Sequence, residues 1–321
     1  MAPRLRVAVI SAGRVGSALA YCLHSAGHHV VGLVARSQTR RVQLREELPF
    51  LPDNCVITDN IATAIRGNSE DQSAQLLVLA VPDDALEAVV QQVEPLIQPG
   101  MIVMHTAGGV GRQALDRLTL AGAMTFAAHP VMSFVGPAKY DADQLEGCAW
   151  GVTAGDQVSQ TVAELLISEL GGYAVAVPEQ SRMLYHAAMA HGSNHLGAVI
   201  ADAVDTLALA LAEPNHAHPS NSPAEPTTTN TTNTKPTEEQ RLLAAQLMRG
   251  LCEASLTNVL QRGEAGLSGP VVRGDKKRVA EHLAAIEADA PQIEGSYVQL
   301  ARRIAQRKRQ AEILELLQQY Y

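Results

Sequence analysis

Four side chains with acid–base or anion-binding chemistry stand out in this sequence: His129, His186, Asn194 and Arg273. His186, Ala190 and Asn194 are spaced by four residues, which places them on one face of a helix. A histidine there could donate a proton to a carbonyl or imine, and the asparagine could orient the same group. The bland alternative is a pair of polar helix residues satisfied where two domains meet. Arg273 lies in Ser268-Gly269-Pro270-Val271-Val272-Arg273-Gly274-Asp275, a glycine-rich loop between helices. Its guanidinium could grip a carboxylate through two parallel hydrogen bonds, pair with Asp275, or cap a helix end. His129, followed by Pro130, either faces a substrate or holds its own loop through Ser133.

A second set of residues predicts what such groups would work with. Residues 7–10 are a short apolar run, a turn follows, and residues 15–23 carry a helical pattern. Ser11-x-Gly13-x-x-Gly16 sits where G-x-G-x-x-G sits in a dinucleotide-binding fold. Gly13 lets backbone approach a pyrophosphate, and Gly16 lets the helix pack closely on the strand. The helix N-terminus then offers free N–H groups to the phosphates. The expected cofactor contacts are therefore Ser11, Ala12, Gly13, Arg14, Val15 and Gly16. Serine replaces the first glycine, whose task is a tight turn, and serine takes positive φ only with strain.

NAD-binding folds place an acid about 20 positions further on. This chain instead reads Ala35-Arg36-Ser37, with Arg40 and Arg41 following. Arg36 and Ser37 suit a ribose 2′-phosphate, which predicts NADP(H); the alternative is a group of solvated loop cations. Val81-Pro82-Asp83 and His105-Thr106-Ala107-Gly108 are strand ends expected to flank the nicotinamide ribose, through Val81, Pro82 and Thr106.

These residues need a scaffold, and the first half of the chain supplies one. Short apolar runs at residues 7–10, 29–35, 55–57, 76–81, 101–105 and 126–128 alternate with helical patterns. That is the pattern of βαβ units and a mostly parallel sheet with helices on both faces. From about residue 179 the texture becomes helical: 181–211 reads as one long helix, followed by 237–261, 275–288 and 294–319. The expected division is a Rossmann-like α/β domain over 1–178 and an all-α domain over 179–321. Residues 213–236 are dense in Pro, Thr, Asn and Ser, too polar to offset the entropy of ordering, and read as a disordered insert. His216 and His218 within it could bind a metal, and Asn230 heads a glycosylation-like triplet.

Composition narrows the function classes. A net charge of −8 argues against nucleic-acid binding. Arg302, Arg303, Arg307, Lys308 and Arg309 alternate with Glu312 and Glu315, as on a solvated helix face. Cys22, Cys55, Cys148 and Cys252 lack ligand spacing, so neither a metal site nor a disulfide framework is expected, and a reducing cytoplasm fits. Arg4 and Arg6 before apolar residues are suggestive of a signal peptide, but the run stops at Ser11, short of a secretory core. No membrane span is expected.

The chain resembles a bacterial group that joins a Rossmann-like NADP-binding domain to a helical C-terminal domain of unknown function. The resemblance rests on AVISAGRVGSALA around Gly13, LAVPDD at 79–84, HTAG at 105–108, His129-Pro130, the stretch from Tyr185 to Asn194, and SGPVVRGD at 268–275. It spans nearly the whole chain outside the insert. The group is related in fold to pyrroline-5-carboxylate reductase, ketopantoate reductase, 6-phosphogluconate dehydrogenase and deazaflavin-dependent NADP reductase. The resemblance implies NADP-linked hydride transfer to or from a C=O or C=N group, and a homodimer formed through a helical domain like the C-terminal domain of 6-phosphogluconate dehydrogenase. A small substrate bearing a carboxylate is implied by Arg273 and these relatives, with ketopantoate the first to test. Two departures stand out. Ala190 occupies the place of the catalytic lysine that precedes the asparagine in hydroxyacid dehydrogenases and ketopantoate reductases, and the C-terminal signature of pyrroline-5-carboxylate reductase is absent. With Ser11, they leave a second reading open: a non-catalytic NADP-binding sensor or interaction protein that kept the fold.

Overall fold

The computed structural model describes residues 4–68, 73–212 and 235–320. Contacts divide the chain into two units, Met1–Ser193 and Asn194–Tyr321.

The first unit is built on eight strands: β1 (Arg6–Ile10), β2 (His29–Val34), β3 (Val56–Thr58), β4 (Leu76–Leu79), β5 (Ile102–His105), β6 (Met124–Pro130), β7 (Ala149–Ala154) and β8 (Tyr173–Ala176). They form one sheet in the order β3-β2-β1-β4-β5-β6-β7-β8. Every neighbouring pair is parallel except β6 with β7. Its helices are α1 (Arg14–Ser25), α2 (Gln38–Glu47), α3 (Ile61–Arg66), α4 (Leu86–Val93), α5 (Asp116–Leu120), α6 (Ala138–Asp143), α7 (Gln157–Glu169) and α8 (Arg182–Ala190).

The unbroken apolar runs in the sequence follow from helices covering both sheet faces. Successive strand residues point to opposite faces, so Val7 and Val9 join one core cluster while Ala8 and Ile10 join another. Leu76 and Val78 divide from Leu77 and Leu79 in the same way. The strand order reverses between β1 and β4, the place beyond whose carboxyl ends ligands bind in open α/β sheets.

The second unit contains α9 (Leu196–Ala210), α10 (Glu238–Arg262), α11 (Pro270–Arg273), α12 (Lys276–Asp289), α13 (Glu294–Lys308) and α14 (Ala311–Leu316). Thr237 and Gln240 close a capping box at the start of α10, each side chain bonding the other's backbone N–H. Val271, Val279, Leu283, Val298, Ala301, Ala305, Ile313 and Leu317 form its core.

By contacts the first unit runs on from the expected boundary at residue 178 to Ser193, since Arg182 and Tyr185 on α8 hydrogen-bond to the sheet. Several expectations about individual elements need correction. The single helix expected over 181–211 is α8 and α9 joined by a π-helical segment, His191–His195. The helix expected over 294–319 breaks at Arg309, which takes a left-handed φ of 55°. Strands β7 and β8 were not anticipated. The insert at 213–236, with His216, His218 and Asn230, lies outside the described residues except for Lys235 and Pro236.

Candidate functional site

The turn from β1 into α1 builds an open cradle. Ala12 is buried and its N–H donates to Val34 O at 2.7 Å, fixing the turn against β2. Gly13 is the N-cap of α1 and makes no side-chain cap, so the first N–H groups of the helix have no intrahelical acceptor. A Cβ on Gly13 would meet nothing within 4 Å, whereas one on Gly16 would collide with the Ser11 carbonyl. Gly13 thus leaves room for an incoming group, and Gly16 permits the close packing of α1 on β1. Arg14 is exposed and Val15 half-buried. Ser11 adopts φ 73°, the left-handed conformation that glycine takes freely and serine does not.

At the end of β2, Arg36 is exposed and has no ion pair or hydrogen-bond acceptor for its guanidinium among the described residues. Ser37 caps α2, its Oγ accepting from Arg40 N. The two following arginines are already engaged. Arg40 pairs with Glu47 at 2.6 Å and donates to Ala12 O, tying α2 to the cradle. Arg41 donates to Ala35 O and pairs with Asp59 at 3.2 Å.

The carboxyl ends of β5 and β6 carry a cluster of rings. His129 Nδ1 lies 2.8 Å from Tyr185 Oη on α8, so its partner is Tyr185 and not Ser133. The His186 ring stands 6.1 Å from that of His129, centroid to centroid, at an interplanar angle of 75°. Both imidazoles press on glycine backbone. A Cβ on Gly108 would lie 2.7 Å from His186 Cδ2 and 3.0 Å from His129 Nε2. Gly109 N donates to Asp83 Oδ2 at 3.1 Å, which joins the end of β4 to the same loop. Thr106 is buried here, Val81 half-buried and Pro82 exposed.

Two further residues shape the cluster from beneath. His105 is fully buried; its Nδ1 accepts from Ala107 N, which leaves Nε2 to donate to Gly111 O at 3.0 Å. Arg182 is 2% exposed, with Nε donating to Thr153 Oγ1 and Nη2 to the Ala127 and Gly151 carbonyls. Its Nη1 has no acceptor among the described residues, and its guanidinium carbon lies 5.7 Å from the Tyr185 ring centroid. Burial pushes His129 down to about 4, with the Arg182 charge and then His186 adding to the effect. Burial also brings His105 to about 4. The Tyr185 hydroxyl is raised, chiefly by burial. His105, His129 and Tyr185 are thus neutral hydrogen-bonding rings beside a buried cation.

Asn194 and Arg273 belong to the second unit. Asn194 is exposed in the π-helical segment, where hydrogen bonds step by five residues rather than the four assumed from sequence. Arg273 is exposed at the end of α11 and has no ion-pair partner among the described residues. Asp275 instead caps α12, accepting from Arg278 N. The structure brings His129 and His186, both named from sequence, together with Tyr185, while Arg182 and the Tyr185 hydroxyl carried no sequence assignment. The one signal for Arg182 was a lone cation opening an otherwise apolar helical turn. No group of His, Cys, Asp and Glu suited to a metal occurs among the described residues, nor any helix long and apolar enough to cross a membrane.

Comparisons with known proteins agree with this architecture. Residues 1–130 match the Rossmann-like domain, and residues 148–304 match a domain of unknown function, DUF2520. Glycerol-3-phosphate dehydrogenase [NAD(P)+] of Desulfitobacterium hafniense is 33% identical over 135 residues, 41% of this chain and 38% of that protein. The enzyme of the same name from Parvibaculum lavamentivorans is 32% identical over 173 residues, 52% of this chain and 49% of that protein. The chain therefore spans half or less of the length of these curated relatives. Among solved structures, a Bacteroides fragilis protein provisionally named an NADP oxidoreductase superposes with TM-score 0.70 at 16% identity, covering 94% of this chain and 98% of that one. A reductive aminase from Aspergillus terreus, in complex with NADPH and ethyl-5-oxohexanoate, gives TM-score 0.62 at 15% identity over 99% of this chain and 100% of that one. Pyrroline carboxylate reductase from Plasmodium falciparum with NADP bound gives 0.54 at 12% identity, covering 96% and 98%. By sequence and by fold, this chain is a Rossmann-like domain followed by a DUF2520 domain.

Proposed function

We propose that this chain is an NADP(H)-dependent oxidoreductase acting on a C=O or C=N group of a small, carboxylate-bearing substrate. The observation that carries the reading is the cradle at Gly13, open where a Cβ would stand and headed by the free N–H groups of α1, on the same sheet edge as the His129–Tyr185–His186 cluster. The names of the relatives, NAD(P)-linked dehydrogenases and NADP(H)-bound reductases, support a nicotinamide cofactor.

In this reading the backbone from Ser11 to Gly16 receives the pyrophosphate. Arg36, whose charge is uncommitted among the described residues, and Ser37 receive the 2′-phosphate, and Val81, Pro82 and Thr106 flank the nicotinamide ribose. Bound NADPH would supply the hydride. His186 supplies the proton that the reduced oxygen or nitrogen needs, Asn194 orients the substrate, and Arg273 anchors its carboxylate. Ketopantoate is the first substrate to test. The working form is a cytoplasmic homodimer. α10 supports the dimer, with Leu242, Leu243, Leu247, Leu251 and Leu260 all exposed on it.

The test is nucleotide titration followed by turnover. Purified protein is titrated with NADPH and NADH, then incubated with NADPH and a panel of 2-keto acids, ketopantoate and cyclic imines while reduced-nicotinamide absorbance is followed. The expected result is preference for NADPH and turnover that His186→Ala abolishes without weakening NADPH binding. Failure to bind either nucleotide would overturn the proposal. Tight NADPH binding with no turnover would favour the sensor reading, which the strained Ser11 and the alanine at 190 already motivate.

A further inference from the structure

We infer that His129 serves as a hydrogen-bond donor to the substrate's carbonyl oxygen or imine nitrogen, held in its Nε2–H form by the Tyr185 hydroxyl above the buried Arg182. This rests on the oxidoreductase reading and adds a role to each of three residues.

The argument begins with one hydroxyl proton. Tyr185 Oη packs against the backbone of Gly151, where a Cβ would come within 2.5 Å of it, and its one hydrogen-bond partner among the described residues is His129 Nδ1. If Nδ1 carried the proton and donated it, the tyrosine O–H would point into packed backbone with no acceptor. The opposite arrangement, O–H donating to Nδ1, satisfies both groups. Neutral imidazole has a single N–H, so its proton then sits on Nε2. That nitrogen takes up the space a side chain on Gly108 would need, 3.0 Å from where its Cβ would be, and meets no acceptor among the described residues. An unpaired donor thus faces the loop at the carboxyl end of β5, the edge where such sheets receive ligands.

Burial keeps the ring neutral, and the Arg182 charge adds to the effect. The charged and titratable groups around His129 are Asp83 after β4, His105 on β5, and Arg182, Tyr185 and His186 on α8. Asp83 alone favours an imidazolium, and its Oδ2 is already engaged by Gly109 N. Arg182 is locked by bonds to Thr153, Ala127 and Gly151 and makes no salt bridge among the described residues; Glu179 and Asp83 act on it only through space, and its charge adds to the effect of burial on the ring. Tyr185 and Arg182 are positioning residues. His129 stabilises charge developing on the reduced atom through a hydrogen bond, and no proton leaves it, since a neutral imidazole is a poor acid; the proton comes from His186.

Full-length protein labelled with 15N-histidine tests this by long-range proton–nitrogen correlation, with His129→Ala assigning the resonance. The expected result is a neutral Nε2–H ring at pH 7 that charges only below about pH 5, and loss of the fixed tautomer in Tyr185→Phe. A proton on Nδ1, an imidazolium at pH 7, or an unchanged tautomer in Tyr185→Phe overturns the inference. On any panel substrate that turns over, His129→Ala should lower kcat about 100-fold with NADPH affinity unchanged; an unchanged kcat overturns the donor role. The expected tautomer with no turnover on any substrate overturns the oxidoreductase reading, and the catalytic role with it, while the state of the ring stands. Turnover with the reversed tautomer overturns this inference alone.

Discussion

Ser11→Gly isolates the departure that most sets this cradle apart from a glycine pattern. Ser11 holds φ 73°, a conformation that costs an L-residue about 1–2 kcal/mol and glycine nothing. Glycine also gives the unfolded chain more freedom, which offsets roughly 0.5–1 kcal/mol of that gain. The net stabilisation is therefore centred on ~0.75 kcal/mol, within about 0–1.5 kcal/mol. The unit that contains it runs from Met1 to Ser193, a size for which 1 kcal/mol moves Tm by about 2–4 °C. Ser11→Gly should raise the thermal midpoint by about 1–4 °C. Ser11→Ala is the control, since it removes the hydroxyl while keeping the strained Cβ, and should give no increase. The backbone at position 11 is held by its neighbours, with Ala12 N bonded to Val34 O and the Ser11 carbonyl against Gly16, so glycine should leave the turn's shape and NADPH affinity intact or improved. Equal midpoints for the glycine and alanine variants, or a loss of stability with glycine, would refute the strain argument. A rise in stability with loss of NADPH binding would show that the serine side chain itself holds the nucleotide.

Other perturbations read other parts of the structure. Gly16→Ala drives a methyl into the Ser11 carbonyl and should cost about 1–3 kcal/mol, seen in urea denaturation, together with NADPH binding in titration. Arg36→Ala should weaken NADPH by about tenfold or more, the loss of one charge-assisted phosphate contact, with little change for NADH; equal small effects on both would sink the 2′-phosphate assignment. Arg182→Met leaves the Ala127 and Gly151 carbonyls and Thr153 Oγ1 without their donor, and should lower unfolding free energy by about 3 kcal/mol or more. His105 and His129, both brought to about 4 from 6.5, bind fewer protons folded than unfolded between those values. Their contribution is complete above the unfolded value and is lost as pH falls through the window, at up to about 1.4 kcal/mol per pH unit for each. A urea midpoint that stays level from pH 7 to pH 4 would contradict this.

The parts of the fold that sequence made legible are those whose signal is local. β1, its turn and α1 occupy one short stretch, and the alternation of Val7, Ala8, Val9 and Ile10 between two core clusters demands an unbroken apolar run. β7 and β8 lacked that signal. β8 is an edge strand with Tyr173 57% and Val175 48% exposed, and β7 is rich in small residues, with Gly151 required where Tyr185 lies against it. The contact-based division falls later than the change of texture in the sequence for a related reason. The helical pattern does begin near residue 179, yet Arg182 and Tyr185 reach back to Thr153 and His129, across 29 and 56 positions, and tie α8 to the sheet.

The same distinction runs through the candidate site. The cradle is a property of consecutive residues, so spacing could reveal it. The ring cluster is not. His129 and His186 are ordinary histidines until Gly108 and Gly109 are seen to have yielded their side-chain space to them. Arg182 reads in sequence as one more surface cation and is among the most buried residues of the chain. A buried guanidinium costs stability unless its bonds are met, and here three acceptors on two adjacent strands meet most of them while Nη1 goes without. A hydrophobic replacement would remove the charge to be desolvated but would leave those three acceptors without their donor, which is the source of the stability loss expected for Arg182→Met. The cation also acts on the rings above it, so Arg182→Met is expected to change the protonation of His129 as well as stability.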